Sequence, residues 1–149
     1  MTEISSTIEI AAAPEYVWAI LADLANYSRW HPAFLSVTGQ LAAGSTLTIT
    51  TTHPASGRAM TARVKVLTAE PNAELRWVSK LAGVTISERF FQLSPSAGGT
   101  SLVQAASYRG LGRSGNRVMN KTVTRIEDTF ATINQAIKQQ AEARYRAPG

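Results

Sequence analysis

Met119, Val123, Ile126, Phe130, Ile133 and Ile137 recur at alternating steps of four and three. At about 3.6 residues per turn that spacing stacks all six on one side of a single long helix. An apolar stripe of this length must be covered, and the largest available partner is the run from Phe34 to Tyr108, rich in Thr, Val, Ile, Leu and Phe. The pairing predicts an α+β fold in which a curved antiparallel sheet wraps around a C-terminal helix. A wrap of that kind tends to leave a cavity between its layers.

The strands follow from period-two alternation. Ile4, Ser6, Ile8 and Ile10 alternate with Glu3, Ser5, Thr7 and Glu9, the pattern of a half-buried strand. Pro14 stands where a first helical residue costs no hydrogen bond, and Val17, Ile20, Leu21 and Leu24 supply the inward face. Asn26–Pro32 breaks this stretch, giving two short helices and leaving Tyr27 and Trp30 on a connecting segment. Pro32 pushes His31 out of helical geometry. Turn signals then recur at Ala43-Gly44-Ser45, Pro54–Gly57, Glu70-Pro71-Asn72, Ala82-Gly83 and Pro95–Gly99. They delimit strands over Leu35–Leu41, Leu47–His53, Met60–Ala69, Glu74–Lys80, Val84–Leu93 and Thr100–Tyr108. With the first strand added at an edge, the sheet has about seven strands, enough to curl.

The 149 residues are read as one domain, 1–149, long enough to bury roughly 68–70% of its unfolded surface. Cysteine is absent, which removes disulfides, thiol nucleophiles and thiolate metal sites and fits a reducing cytoplasm. The N-terminus lacks the basic and apolar regions of a signal peptide, and no apolar run approaches the roughly 20 residues of a membrane span. The expectation is a cytoplasmic protein without a transmembrane segment.

The net charge of +5 is unevenly distributed. Residues 1–108 carry seven Lys/Arg against seven Asp/Glu, and residues 109–149 carry eight against three. Arg113, Arg117, Lys121 and Arg125, spaced by four, form a basic face opposite the apolar stripe. One reading is a surface for nucleic acid, anionic lipid or a protein partner; the other is a solvated helix back. Asp128 interrupts the basic face and no aromatics alternate with the charges to stack bases, which argues against nucleic acid.

Three local patterns carry a resemblance. They are Ala13-Pro14-Glu15-Tyr16-Val17-Trp18 leading to Asp23 and Trp30-His31-Pro32; Glu74-Leu75-Arg76-Trp77; and Phe91-Gln92-Leu93 followed by Gly99–Gln104 and Tyr108-Arg109-Gly110. In this order, spread over nearly the whole chain, they resemble the SRPBCC superfamily of START-like, helix-grip proteins, and within it the polyketide cyclase/dehydrase branch. The resemblance implies a deep pocket between sheet and helix, gated near Trp30, that takes lipid-, sterol- or polyketide-like molecules, and in some members a cyclase or dehydratase activity. Where a pocket histidine and an acidic residue are expected in close relatives, this chain has Arg89 and Ala106, so a possible acid–base pair is missing.

Strand alternation sets Arg89 on the same face as Phe91 and Leu93. An inward guanidinium must pair with a carboxylate, with Glu127 and Asp128 as the acidic candidates, or bind an anionic group on a ligand; a bulge would instead turn it to solvent. His31, beside Trp30 at the inferred pocket mouth, is either a proton-exchanging group or a turn residue fixing the backbone before Pro32. Tyr108 alternates inward with Gln104 and Ala106, and its phenol either orients a ligand oxygen or meets a backbone group in the core. His31, Arg89 and Tyr108 are the candidates for chemistry. The ligand-binding set is Trp30, Arg89, Phe91, Gln104, Tyr108, Met119, Val123 and Ile126, while Trp18 and Trp77 are read as core.

His31 and His53 are the only imidazoles and are far apart in sequence, so no metal site is expected. Gly110-Leu111-Gly112 lacks the context of a dinucleotide loop and reads as a hinge before the last helix; no cofactor is expected. The leading function is binding of a small hydrophobic molecule in an internal cavity. The alternatives are a polyketide-type cyclase or dehydratase, and an interaction protein using the basic helix face. The antiparallel edge strands permit a homodimer without requiring one.

Overall fold

A computed structural model describes residues 2–52, 56–109 and 117–146. Seven strands, β1 (Thr2–Ile10), β2 (Phe34–Thr38), β3 (Thr46–Thr52), β4 (Ala59–Glu70), β5 (Glu74–Leu81), β6 (Val84–Ser96) and β7 (Gly99–Tyr108), form one antiparallel sheet. Their spatial order is β1-β7-β6-β5-β4-β3-β2, so β2 to β7 are a meander and β1 closes one edge against β7. Between β1 and β2 lie helix α1 (Pro14–Ala22), a 3-10 turn (Leu24–Asn26) and the one-turn helix α2 (Tyr27–Trp30), and the last described element is the 30-residue helix α3 (Arg117–Arg146). The curled sheet wraps α3, the α+β arrangement expected from the stripe and the strand count and the helix-grip fold that the resemblance implies.

Register bulges between Phe34 and Ser36, Val66 and Thr68, and Ser79 and Lys80 add local twist to this curl. Two strands differ from the alternation reading by more than one residue at an end. β2 stops at Thr38 rather than Leu41 because Gly39, at φ 126°, turns the chain where a Cβ would come within 2.7 Å of the Thr46 carbonyl oxygen. β6 continues past Leu93 to Ser96, leaving only Ala97-Gly98 as the turn. Pro95 fits within that extension because β5 has already ended opposite Gln92, so no strand on that side needs its missing N–H.

The interior divides into two packed groups. The larger gathers Ile10, Ile20, Leu21, Leu75, Leu102 and the second half of α3 through Ile133 and Ile137. The smaller joins Ile4 and Ala106 of the sheet to Val123, Ile126 and Phe130 from the first half of α3. Beyond the larger group, Glu142 of α3 accepts from the Ala11 backbone N–H at 2.8 Å and from Lys138 Nζ at 2.5 Å, tying the helix to the end of β1. The stripe residues Val123, Ile126, Phe130, Ile133 and Ile137 are all buried. Met119 lies on α3 with its side chain outside the described residues, as do the proposed hinge Gly110-Leu111-Gly112, Arg113 of the basic face, and His53.

Candidate functional site

Register places one side chain from each of four strands in a row on the concave face: Ile4 of β1 opposite Ala106 of β7, Ala106 opposite Arg89 of β6, and Arg89 opposite Trp77 of β5. Below this row two cavities open between sheet and helix. One, of about 360 Å³, is bounded by His31, Phe34, Phe130 and Ile133; the other, of about 640 Å³, by Ile49, Val64, Trp77, Ile86 and Ala106. They share Thr51, Arg89, Tyr108 and Ile126. The site is therefore a two-lobed, mostly apolar space with Arg89 and Tyr108 at the waist.

Arg89 faces inward beside Phe91, as alternation predicts, and it is ringed by aromatics. Its Cζ lies 4.9 Å from the Phe130 ring centre, 5.3 Å from Phe91, 5.5 Å from Phe34 and 5.9 Å from Trp77. Its Nη2 donates to Gln104 Oε1. Gln104, fully buried, in turn donates from Nε2 to Asn134 Oδ1 at 2.7 Å and to the Phe130 carbonyl at 3.2 Å, and Asn134 Nδ2 donates to the Ser6 carbonyl at 3.1 Å. One polar chain thus runs from β6 through β7 and α3 to β1. Neither acidic candidate pairs with Arg89: Asp128 is exposed, and among the described residues the guanidinium meets no carboxylate. Burial lowers the pKa of Arg89, with Tyr108 and Tyr27 acting in the opposite direction.

His31 holds the backbone beside Pro32 and also lines the smaller cavity. Nδ1 accepts from the Ala33 N–H at 2.9 Å, and Nε2 lies 2.8 Å from Thr132 Oγ1 on α3. Accepting at Nδ1 requires the neutral ring with its proton on Nε2. Burial first, and the Arg89 charge second, hold its pKa below the usual 6.5. The neutral form therefore favours the fold above pH 6.5, and that contribution is lost as acidification protonates the unfolded chain first. Stability is expected to fall below pH 6.5 by at most about 1.4 kcal/mol per pH unit from this residue. In His31→Asn, whose amide oxygen replaces the Nδ1 acceptor, urea denaturation at a series of pH values should show that part of the slope removed; an unchanged slope would assign it elsewhere.

Tyr108 lines both lobes, and burial raises its pKa while Arg89 partly offsets the rise, so the phenol stays a donor at neutral pH. Ile126 is the stripe residue at the waist; Val123 packs in the smaller apolar group, and Phe91 is fully buried beneath Arg89's strand face. Trp30 packs against the larger core, its ring centre 5.1 Å from Tyr27 and 5.7 Å from Phe34, rather than bounding either lobe. Trp77, read as core, is buried and also walls the larger lobe. Asn134 was not among the candidates, yet it completes the polar chain. Its signal was an amide beside Ile133, one helical turn from both Phe130 and Ile137 and so on the stripe side of the helix. Among the described residues, no group of three His, Cys, Asp or Glu converges as a metal site, and no helix is long and apolar enough to cross a membrane.

Solved structures share this fold. Protein TTHA0849 from Thermus thermophilus superposes with a TM-score of 0.74 at 16% identity, covering 96% of this chain and 99% of that one. The di-domain ARO/CYC StfQ of the steffimycin biosynthetic pathway gives 0.73 at 15% identity, over 95% of this chain and 51% of StfQ. The Aha1 dimer from Colwellia psychrerythraea gives 0.66 at 20% identity, over 95% and 97%. No curated protein matches the chain. At the level of sequence, the profile of the family described as polyketide cyclase / dehydrase and lipid transport matches residues 1–142, and the chain belongs to that family.

Proposed function

We propose that this protein binds a small, largely apolar molecule in the two-lobed cavity between its sheet and α3. The observation that carries the reading is the paired space of about 360 and 640 Å³ with a shared waist, walled mainly by aliphatic and aromatic side chains and set with a few polar groups. Sites that hold apolar ligands have this size and composition. The family description names both cyclisation or dehydration and lipid transport. Binding is favoured because a cyclase or dehydratase needs a group that moves protons, and both nitrogens of His31 are engaged in holding Ala33 and Thr132. The lack of cysteine fits a protein working in a reducing cytoplasm. A homodimer, the state named for the Colwellia protein, is carried as part of the proposal.

The reading predicts that purified protein retains or takes up such a molecule. Native mass spectrometry should show a discrete adduct, either from the expression host or after incubation with lipid and polyketide mixtures, that is released on denaturation. A clean apo mass under all these conditions would turn attention to the basic face of α3, where Arg117 and Lys121 are exposed.

A further inference from the structure

We infer that the molecule held in this cavity is an anion, a mostly apolar body bearing one carboxylate- or enolate-like oxygen group that docks on Arg89 at the waist. The inference rests on the binding reading above and adds the chemical class of the ligand. Guanidinium groups remain protonated in proteins, so the waist carries a fixed positive charge. The protein offers little to balance it. Among the described residues the guanidinium donates to the neutral amide of Gln104 alone, and Nε is buried with no partner. The four surrounding rings present their π-clouds, which attract a cation but accept no N–H in the manner of an oxygen. Across the sheet register, the side chains opposite Arg89 are Ala106 of β7 and Trp77 of β5, neither of which brings a charge or a hydrogen-bond acceptor.

The contrast with the other face of the same strands is direct. There Arg76 is fully matched, with Nε and Nη2 each 3.2 Å from Glu74 and Nη1 3.0 Å from Glu88. The chain thus pairs an arginine at the outer surface with carboxylates and leaves one without a carboxylate at the centre of its cavity, where an unmatched charge is most costly. Thr51, Arg89 and Tyr108 line both lobes, so the shared waist presents donors and, among the described residues, no carboxylate, and Glu88, the carboxylate residue along the larger lobe, is paired with Arg76. A ligand oxyanion supplies the missing partner, and the lobes on either side take the apolar remainder.

Two fluorescent probes of nearly the same skeleton separate charge from hydrophobicity: 8-anilinonaphthalene-1-sulfonate, a monoanion, and neutral N-phenyl-1-naphthylamine. Each is titrated into the wild type, Arg89→Met and Ala106→Asp, the last placing a counter-ion directly opposite Arg89 without removing it. The anionic probe should bind the wild type about tenfold or more tightly than the neutral one, and both substitutions should abolish that preference while leaving the neutral probe within about twofold. Because the two variants remove the preference by opposite means, misfolding of one cannot mimic the result. If the neutral probe binds as well as the anionic one and Arg89→Met changes neither, the anion assignment is overturned and the cavity reading stands. Failure of both probes to bind the wild type overturns both.

Discussion

Gln104→Leu is expected to cost about 3 kcal/mol of stability, and Arg89→Met introduced into that variant to recover about 2 kcal/mol of the loss. Leucine fills the space of the amide, so cavity formation contributes little. What it removes is the amide acceptor of a buried cation and the donor to Asn134 Oδ1 and the Phe130 carbonyl. Breaking one side of a buried charged contact costs more than the contact was worth, because the charge left behind stays desolvated. Methionine at position 89 removes that charge while keeping most of the stem that packs among Phe34, Phe91 and Phe130, so Arg89→Met alone should lie within about 1 kcal/mol of the wild type. Urea denaturation of the four proteins closes the cycle. Additive losses would mean that Gln104 acts on Asn134 and α3 alone, with Arg89 no part of the polar chain.

The same contact marks where sequence reading stopped. Strand and helix periodicities were legible because burial imposes them: Ile4, Ile8 and Ile10 in β1, and the stripe from Val123 to Ile137, leave no second way of facing the core. Arg89's inward direction came from the same alternation, through Phe91 and Leu93. What alternation could not supply was the neighbour across the sheet. That Ala106 and Trp77 flank Arg89 depends on the register of two separate hairpins, and the register of the β5–β6 hairpin is shifted by the bulge at Ser79. Glu127 and Asp128 were close in sequence to the inward stripe, but α3 turns Asp128 to solvent. The packing of Trp30 was not legible for a related reason: its segment reads as a connection, and only the fold shows α2 setting its ring against Tyr27, whose hydroxyl is fixed at 2.5 Å to the Leu21 carbonyl.

Two isoleucines of one stripe, eleven positions apart, should respond in opposite ways. Ile137→Ala is expected to lower stability by about 3–4 kcal/mol with no change in ligand affinity, and Ile126→Trp to cost far less stability while weakening binding by at least about tenfold. Ile137 is fully buried within the larger apolar group, and a truncation there opens a void that close-packed neighbours cannot fill. Ile126 belongs to the smaller group and is the helix residue shared by both lobes, so the space beside it is already open and a larger ring enters the waist rather than the core. Thermal denaturation together with titration of N-phenyl-1-naphthylamine reads both effects without relying on the charge at Arg89. Loss of stability without loss of binding in Ile126→Trp would sink the division, showing that the first half of α3 packs as densely as the second. The expected outcome assigns the parts of one amphipathic helix different work: Ile137 and Ala141 hold it in the sheet's grip, and Ile126, Phe130 and Ile133 form the wall against which a ligand is held.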